Sequence, residues 1–192
     1  MGKVFDEIDA ELRSFIESQQ LFFVATAPLA REGLVNLSPK GLDTFRILGP
    51  REVAYLDLTG SGIETLAHLR ENGRICFMFC AFEGRPRILR LHARGEAFEP
   101  GDARWDALRP HFPTIAGERA IIRADVQRIA DSCGWGVPLY RYEGQRDQLT
   151  RFAEQLGPEK IAAAKERWNT RSLDGLPGLT SGRVGSGSTG ST

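Results

Sequence analysis

Apolar residues recur every three to four positions near the start of the chain, at Phe5, Ile8, Leu12, Phe15 and Ile16, which predicts an amphipathic helix. The period then shortens. Residues 21–27 (LFFVATA) are rich in β formers and predict a buried strand closed by Pro28. LVNLS predicts a short strand that Pro39 breaks, with residues 40–44 as the connection. FRIL pairs briefly before the turn GPRE, and VAYLDL is expected to alternate as a strand. A helix is predicted over 63–72, with Ser61 and Glu64 in capping-box register and Gly73 where a C-terminal cap glycine belongs. RICFMFCAF is a strongly apolar strand, and ILRLHARGEAFE a long one expected to bend at Gly95. GDARWDALRPHF predicts a short helix ended near Pro110. In AIIRADVQRI the apolar positions 122, 126 and 129 slip by one residue, the mark of a bulge. After the loop SCGWGVPLYRYEG, two helices are predicted, over 147–156 and 158–169, the second opening on Pro158. From Asp174 the Gly/Ser/Thr-rich sequence predicts a flexible tail over 174–192, leaving 1–173 as one folded domain.

Six or seven strands joined mostly by short turns, one helix inserted among them and helices at both ends define the expected class. It is mainly β, an antiparallel barrel with peripheral helices. A doubly wound parallel sheet would need a helix between most strands, and only one is in place. A length of 192 residues, with 41% hydrophobic and 26% charged, is ordinary for a globular domain. Acids and bases balance at 25 each, so no overall field draws nucleic acid or an anionic membrane, and any bound anion must be held locally. No apolar run approaches the roughly 18 residues of a membrane span. The amphipathic, acid-containing N-terminal stretch is not expected to be a signal peptide. Cys76, Cys80 and Cys133 suit a cytoplasmic protein with reduced thiols. Cys76 and Cys80 share a strand face, too far apart for a disulfide and without a second ligand pair for zinc, so buried structural thiols are expected.

Candidate chemistry gathers at four places. The turn Thr59, Gly60, Ser61, Gly62 leads into a helix N-terminus, whose free amides and partial positive charge suit a phosphate. Glycines there allow close approach, and Thr59, Ser61 and Thr65 add hydroxyls. The same turn also reads as an ordinary capping box, and it is not a P-loop, because the Gly-Lys-Ser/Thr ending is missing. Asn36, Ser38 and Lys40 alternate and so point to one side of their strand, towards either solvent or a polar ligand. Arg85, Arg87 and Arg90 flank the start of the long strand, as phosphate partners or as surface ion pairs. Trp135, between two glycines, offers either a flat wall for a planar ring or a loop anchor. No nucleophile–base pair is evident, and His68, His92 and His111 lack metal-ligand spacing. Such a chain points to a cofactor that brings its own reactivity.

In order and character these segments resemble the pyridoxamine 5′-phosphate oxidase-like family of flavin-binding split barrels. The resemblance rests on VNLSPKG, VAYLDLTGSGIETLAHLRENGRI, FMFCAFEG, RILRLHARGEA and GWGVPLY, spanning residues 5–142. It implies a six-stranded antiparallel split barrel and a homodimer with FMN in a groove at the subunit interface. Asn36, Ser38, Lys40, Thr59, Ser61, Gly62 and Thr65 would hold the phosphate and ribityl chain. Arg87 would be a polar flavin contact, and Trp135 and Gly136 would approach the ring from the second subunit. The implied activity is that of an FMN-dependent oxidoreductase acting on a small molecule. Alternatives keep the barrel and change its ligand to a deazaflavin or haem, or make it a non-catalytic flavin-binding module. The chain departs from the oxidases proper in carrying Gly62 and Ile63 where they have a basic pair, and Ile88 where they have glutamine. It also lacks a clear counterpart of their C-terminal substrate-binding segment. Pyridoxal phosphate synthesis is therefore not the expected activity.

Overall fold

The computed structural model describes residues 2–180. Eight strands form one antiparallel sheet: β1 (Val4–Phe5), β2 (Phe22–Thr26), β3 (Asn36–Lys40), β4 (Phe45–Gly49), β5 (Glu52–Leu58), β6 (Arg74–Cys80), β7 (Ile88–Phe98) and β8 (Glu118–Ser132). Their order is β3-β2-β6-β7-β8-β5-β4, with β1 added beside the end of β8. The long β8 pairs with β5 through its first half and with β1 near its end. The outermost strands, β3 and β4, share no ladder, and closure between the two halves is made by side chains. Phe45 of β4 packs edge-on against Phe22 of β2 and Phe79 of β6, with ring centroids 5.0 and 5.1 Å apart. This is a mainly β split barrel, with eight strands rather than six because β1 and the short β4 join the sheet.

Among the described residues four α-helices surround it: α1 (Ala10–Ser18), α2 (Glu64–Asn72), α3 (Ala103–Leu108) and α4 (Gln148–Trp168). Phe5 lies outside α1, in β1. The helix begins only after Asp9, whose carboxylate accepts the Leu12 amide at 2.8 Å. Strand β5 does not alternate between buried and exposed positions; Val53 to Asp57 are all buried. Val53 and Tyr55 face the barrel core, whereas Ala54 and Leu56 join Phe98, Trp105, Phe112 and Ile121 in a second cluster beneath α3.

The strand β3 runs through Pro39 to Lys40, with Pro39 opposite Phe23. A proline is tolerated because β3 is an edge strand with no neighbour on its other side. No register shift falls at Gly95, where the bend was expected. The register shift falls between His92 and Ala93, opposite an extra residue, Gln127, on β8, where the apolar slip predicted a bulge. Gly95 serves packing: a Cβ there would stand 3.1 Å from Leu69 of α2 and 3.2 Å from Ile75. Gly73 ends α2 in the left-handed region at φ 69°, as predicted.

Helix α4 is broken at Gly157 (φ 73°), directly before Pro158, in agreement with the two helices predicted. Residues 174–180, expected as the start of a tail, are instead seated on the domain. Leu179 is buried, its amide bonds the Asn169 carbonyl at 2.7 Å, and the Thr180 amide and hydroxyl both donate to Glu99. Averaged composition hid the one leucine that anchors this stretch. The remainder of the predicted tail, 181–192, lies outside the described residues. Among the described residues no helix is long and apolar enough to cross a membrane.

Candidate functional site

A cleft of about 730 Å³ opens at one end of the barrel. Its walls bring together the two segments that the sequence singled out, Asn36, Ser38 and Lys40 from β3 and Thr59, Gly60, Ser61, Gly62, Glu64 and Thr65 from the β5–α2 connection and the first turn of α2. Gln145 and Arg146, from the extended segment before α4, line it as well. The Gln145 side chain ties that segment down, accepting from the Leu42 amide at 3.0 Å and donating to the Gln20 carbonyl at 2.8 Å.

The expected capping box does not form. The N-cap of α2 is Ile63, without a side-chain cap bond, and Ser61 is exposed. Ile63 is drawn into the core, which rotates the turn away from capping geometry. The turn is held from behind instead. Thr59 bonds the Gly117 carbonyl through its amide at 2.7 Å and its hydroxyl at 2.8 Å. Arg119 Nη1 donates to the Gly62 carbonyl at 2.7 Å, and Asn169 Nδ2 to the Gly60 carbonyl at 2.9 Å. In a planar trans peptide the amide points opposite to its carbonyl. The N–H groups of Ser61 and Ile63 are thus turned away from those two anchors. Neither they nor the Gly62 amide donates to any partner among the described residues.

Beneath the turn lies Asp57, fully buried, with Arg119 Nε 2.7 Å from Oδ2 and Lys40 Nζ 3.1 Å from Oδ1. Burial pushes the Asp57 carboxyl upward, but the Arg119 guanidinium and the Lys40 ammonium together outweigh it and hold the group below the usual carboxylate range. Tyr55, beside it, is pushed well above the ordinary phenol value, first by burial and then by the Asp57 charge. An ammonium has three donors, and one of Lys40's is given to Asp57.

Asn36 Nδ2 donates to Thr26 Oγ1 and Thr65 Oγ1, each at 3.0 Å, and its Oδ1 accepts from Ser38 at 3.1 Å. Thr65 therefore braces Asn36. His68 is fully buried with Nδ1 3.0 Å from Thr26 Oγ1, and is part of the same support. A carboxylate also stands at the rim: Glu64, whose Oε1 accepts the Leu173 amide at 3.3 Å.

The other predicted residues lie elsewhere in the chain. Arg87 and Trp135 line a separate depression of about 560 Å³ that shares no residue with the cleft. Arg87 is paired there with Glu11 at 2.8 Å and Asp131 at 3.1 Å, and it lies over the rings of Phe5 and Phe15. Trp135 is 83% exposed, so it does not anchor its loop in the core of this chain. Gly136 is exposed beside it, with open space around its α-carbon. Of the three cysteines only Cys80 is buried; Cys76 is half-buried on the outer sheet face and Cys133 is exposed. Sequence reasoning missed Asp57, Arg119 and Asn169. An acid inside VAYLDL, on the core-facing side shared with Val53 and Tyr55, was the available signal, because a buried carboxylate demands a cation.

A split barrel with a polar, amide-lined cleft at its mouth is the class that fold and site define. A family model described as "Pyridoxamine 5'-phosphate oxidase" matches residues 8–133. A pyridoxamine 5′-phosphate oxidase family protein of Aspergillus flavus, ustO, is 41% identical over 194 aligned residues, covering 92% of this chain and 78% of the relative. The chain belongs to the pyridoxamine 5′-phosphate oxidase family. Solved structures agree on the fold. A tagged single-substitution variant of Group A Streptococcus HupZ superposes with a TM-score of 0.51 at 23% identity, covering 65% of this chain and 99% of that one. A pyridoxamine 5′-phosphate oxidase candidate from Lactobacillus delbrueckii gives 0.50 at 15% identity, covering 66% and 98%.

Proposed function

We propose that the chain is an FMN-binding flavoprotein that works as an oxidoreductase on a small molecule. One observation carries the reading: β3 and the β5–α2 turn, separate in sequence, converge on one cleft that offers unbonded amides beside a lysine. The phosphate would be held by the amides at 61 and 62, the Ser61 hydroxyl and Lys40, with Asn36 and Ser38 along the ribityl chain. FMN would supply the electron-transfer chemistry. The protein's part is to fix its orientation and to set the charge around it. Asp57 and Arg119 keep Lys40 in place, and the barrel wall excludes water from below.

The flavin ring contacts implied for Arg87, Trp135 and Gly136 require a second copy of the chain, because in one copy none of the three lines the cleft, and Arg87 and Trp135 line a different depression. The homodimer therefore belongs to this proposal. So does a cytoplasmic location. Haem is the less favoured ligand: none of His68, His92 and His111 lines the cleft, and His68 is fully buried with Nδ1 on Thr26 and Nε2 3.6 Å from Asp174. The purified protein, reconstituted with FMN, is expected to show flavin absorbance. The double variant Lys40→Ala/Ser61→Ala should bind FMN more weakly by about 2–4 kcal/mol in a fluorescence titration. Unchanged affinity would remove both residues from the site, and a colourless wild-type protein would end the flavin reading.

A further inference from the structure

The turn that offers its amides to the cleft is not shaped by its own sequence. Its two inward carbonyls, at Gly60 and Gly62, are each held by a side chain from a distant element. The one at Gly60 is taken by Asn169, which caps the end of α4 and lies well beyond the 8–133 stretch matched by the family model. Asn169 is fully buried, and every polar group it carries is used. Its amide N–H donates to the Lys165 carbonyl at 2.8 Å, its carbonyl accepts from Leu179, Nδ2 donates to Gly60, and Oδ1 accepts from Arg119 at 3.0 Å. Arg119 in turn bonds Asp57 and the Gly62 carbonyl. The residue is thus a junction between the C-terminal segment, the buried Asp57–Arg119 pair and the turn.

We propose that Asn169 is a positioning residue for the phosphate end of the cofactor, and that the C-terminal segment serves the binding site as well as covering the barrel. The inference rests on the flavin reading above. By fixing the Gly60 carbonyl inward, Asn169 fixes the Ser61 amide outward, because one rigid peptide plane carries both. It also completes the guanidinium contacts that orient Arg119 against the Gly62 carbonyl. A turn carrying Gly60 and Gly62, without a side-chain cap of its own, has little else to hold these planes. An amide set already aimed avoids the ordering cost that a loose turn would meet on binding.

FMN and riboflavin, which lacks the phosphate, separate this role from a merely structural one. Wild-type protein is expected to bind FMN more tightly than riboflavin. In Asn169→Ala the FMN affinity should fall about three- to tenfold while riboflavin affinity stays within about twofold, so that the ratio narrows. A general loosening of the fold would weaken both ligands together and leave the ratio intact, which overturns the proposal. Asn169→Leu keeps a similar volume and adds no charge, while losing both the donor to Gly60 and the acceptor for Arg119. It should narrow the ratio too, and it carries the same test if the alanine variant does not fold. Wild-type protein that binds FMN no better than riboflavin would sink this inference while leaving flavin binding in place. Protein that binds neither would remove both.

Discussion

At the scale of single residues, Asp57 decides how the cleft is charged. A lone carboxylate at full burial would be protonated or excluded; here two cations hold it ionised. Removing its charge leaves Arg119, itself 4% exposed, without a counter-ion. Asp57→Asn is accordingly expected to cost about 3–5 kcal/mol in urea unfolding at neutral pH. The pH dependence has a defined sign. Because the folded-state pKa lies below the unfolded value, the unfolded chain binds the proton first as pH falls. The stability Asp57 contributes is therefore complete above the ordinary carboxylate pKa of about 4 and is lost as pH drops through the folded value. Wild type and Asp57→Asn should differ most near neutrality and converge in acid, as read from parallel urea curves. A difference that stays constant down to pH 2–3 would mean that the carboxylate is not held by these cations.

At the scale of elements, much was legible because local chemistry decided it. The α2 stop at Gly73, the α4 break at Gly157–Pro158 and the β8 bulge at Gln127 each follow from residues within a few positions. The misreadings share a cause, which is that a distant partner overruled the local signal. Ser61 and Glu64 have capping-box spacing, yet Ile63 is worth more in the core and Arg119 and Asn169 hold the turn. Pro39 reads as a strand end but sits on an edge, where its missing N–H costs nothing. The site was half legible for the same reason: polar alternation on β3 and the glycine turn are local signals, whereas the Asp57–Arg119–Asn169 support is tertiary. Residues 174–180 show the limit of composition. Gly178 lies against α4's end so closely that a Cβ would stand 2.2 Å from the Asn169 carbonyl oxygen and 2.9 Å from Ile63. Gly178→Ala should therefore lower stability by about 1–3 kcal/mol through overpacking, measured by urea unfolding. No loss would show that the segment is not seated there.

At the scale of the whole molecule, the outer face of the sheet calls for a partner. Register places Leu37, Ala25, Cys76, His92 and Arg128 in one row across β3, β2, β6, β7 and β8. The next row is Pro39, Phe23, Met78, Arg90 and Ala130. Leu37 is 63% exposed, and Phe23, Ala25 and Met78 are half-buried, so this face is neither core nor ordinary solvated surface. Burial and the nearby guanidiniums of Arg128 and Arg90 lower the His92 pKa, which keeps the imidazole neutral on an already cationic face. Arg90 and Arg128 form no ion pair among the described residues, so an interface here needs an acid or an anionic ligand from across the contact. A second copy that brought an acid or an anionic group to the contact would meet both demands. Met78→Asp tests this with little harm to the isolated fold, because the side chain points out of the barrel. Wild type should sediment at twice the chain mass and the variant at the chain mass. FMN affinity should fall with the dimer if the ring is shared between subunits. A monomeric variant that binds FMN as tightly as wild type would confine the site to a single chain, and a wild type that sediments as a monomer would remove the shared site altogether.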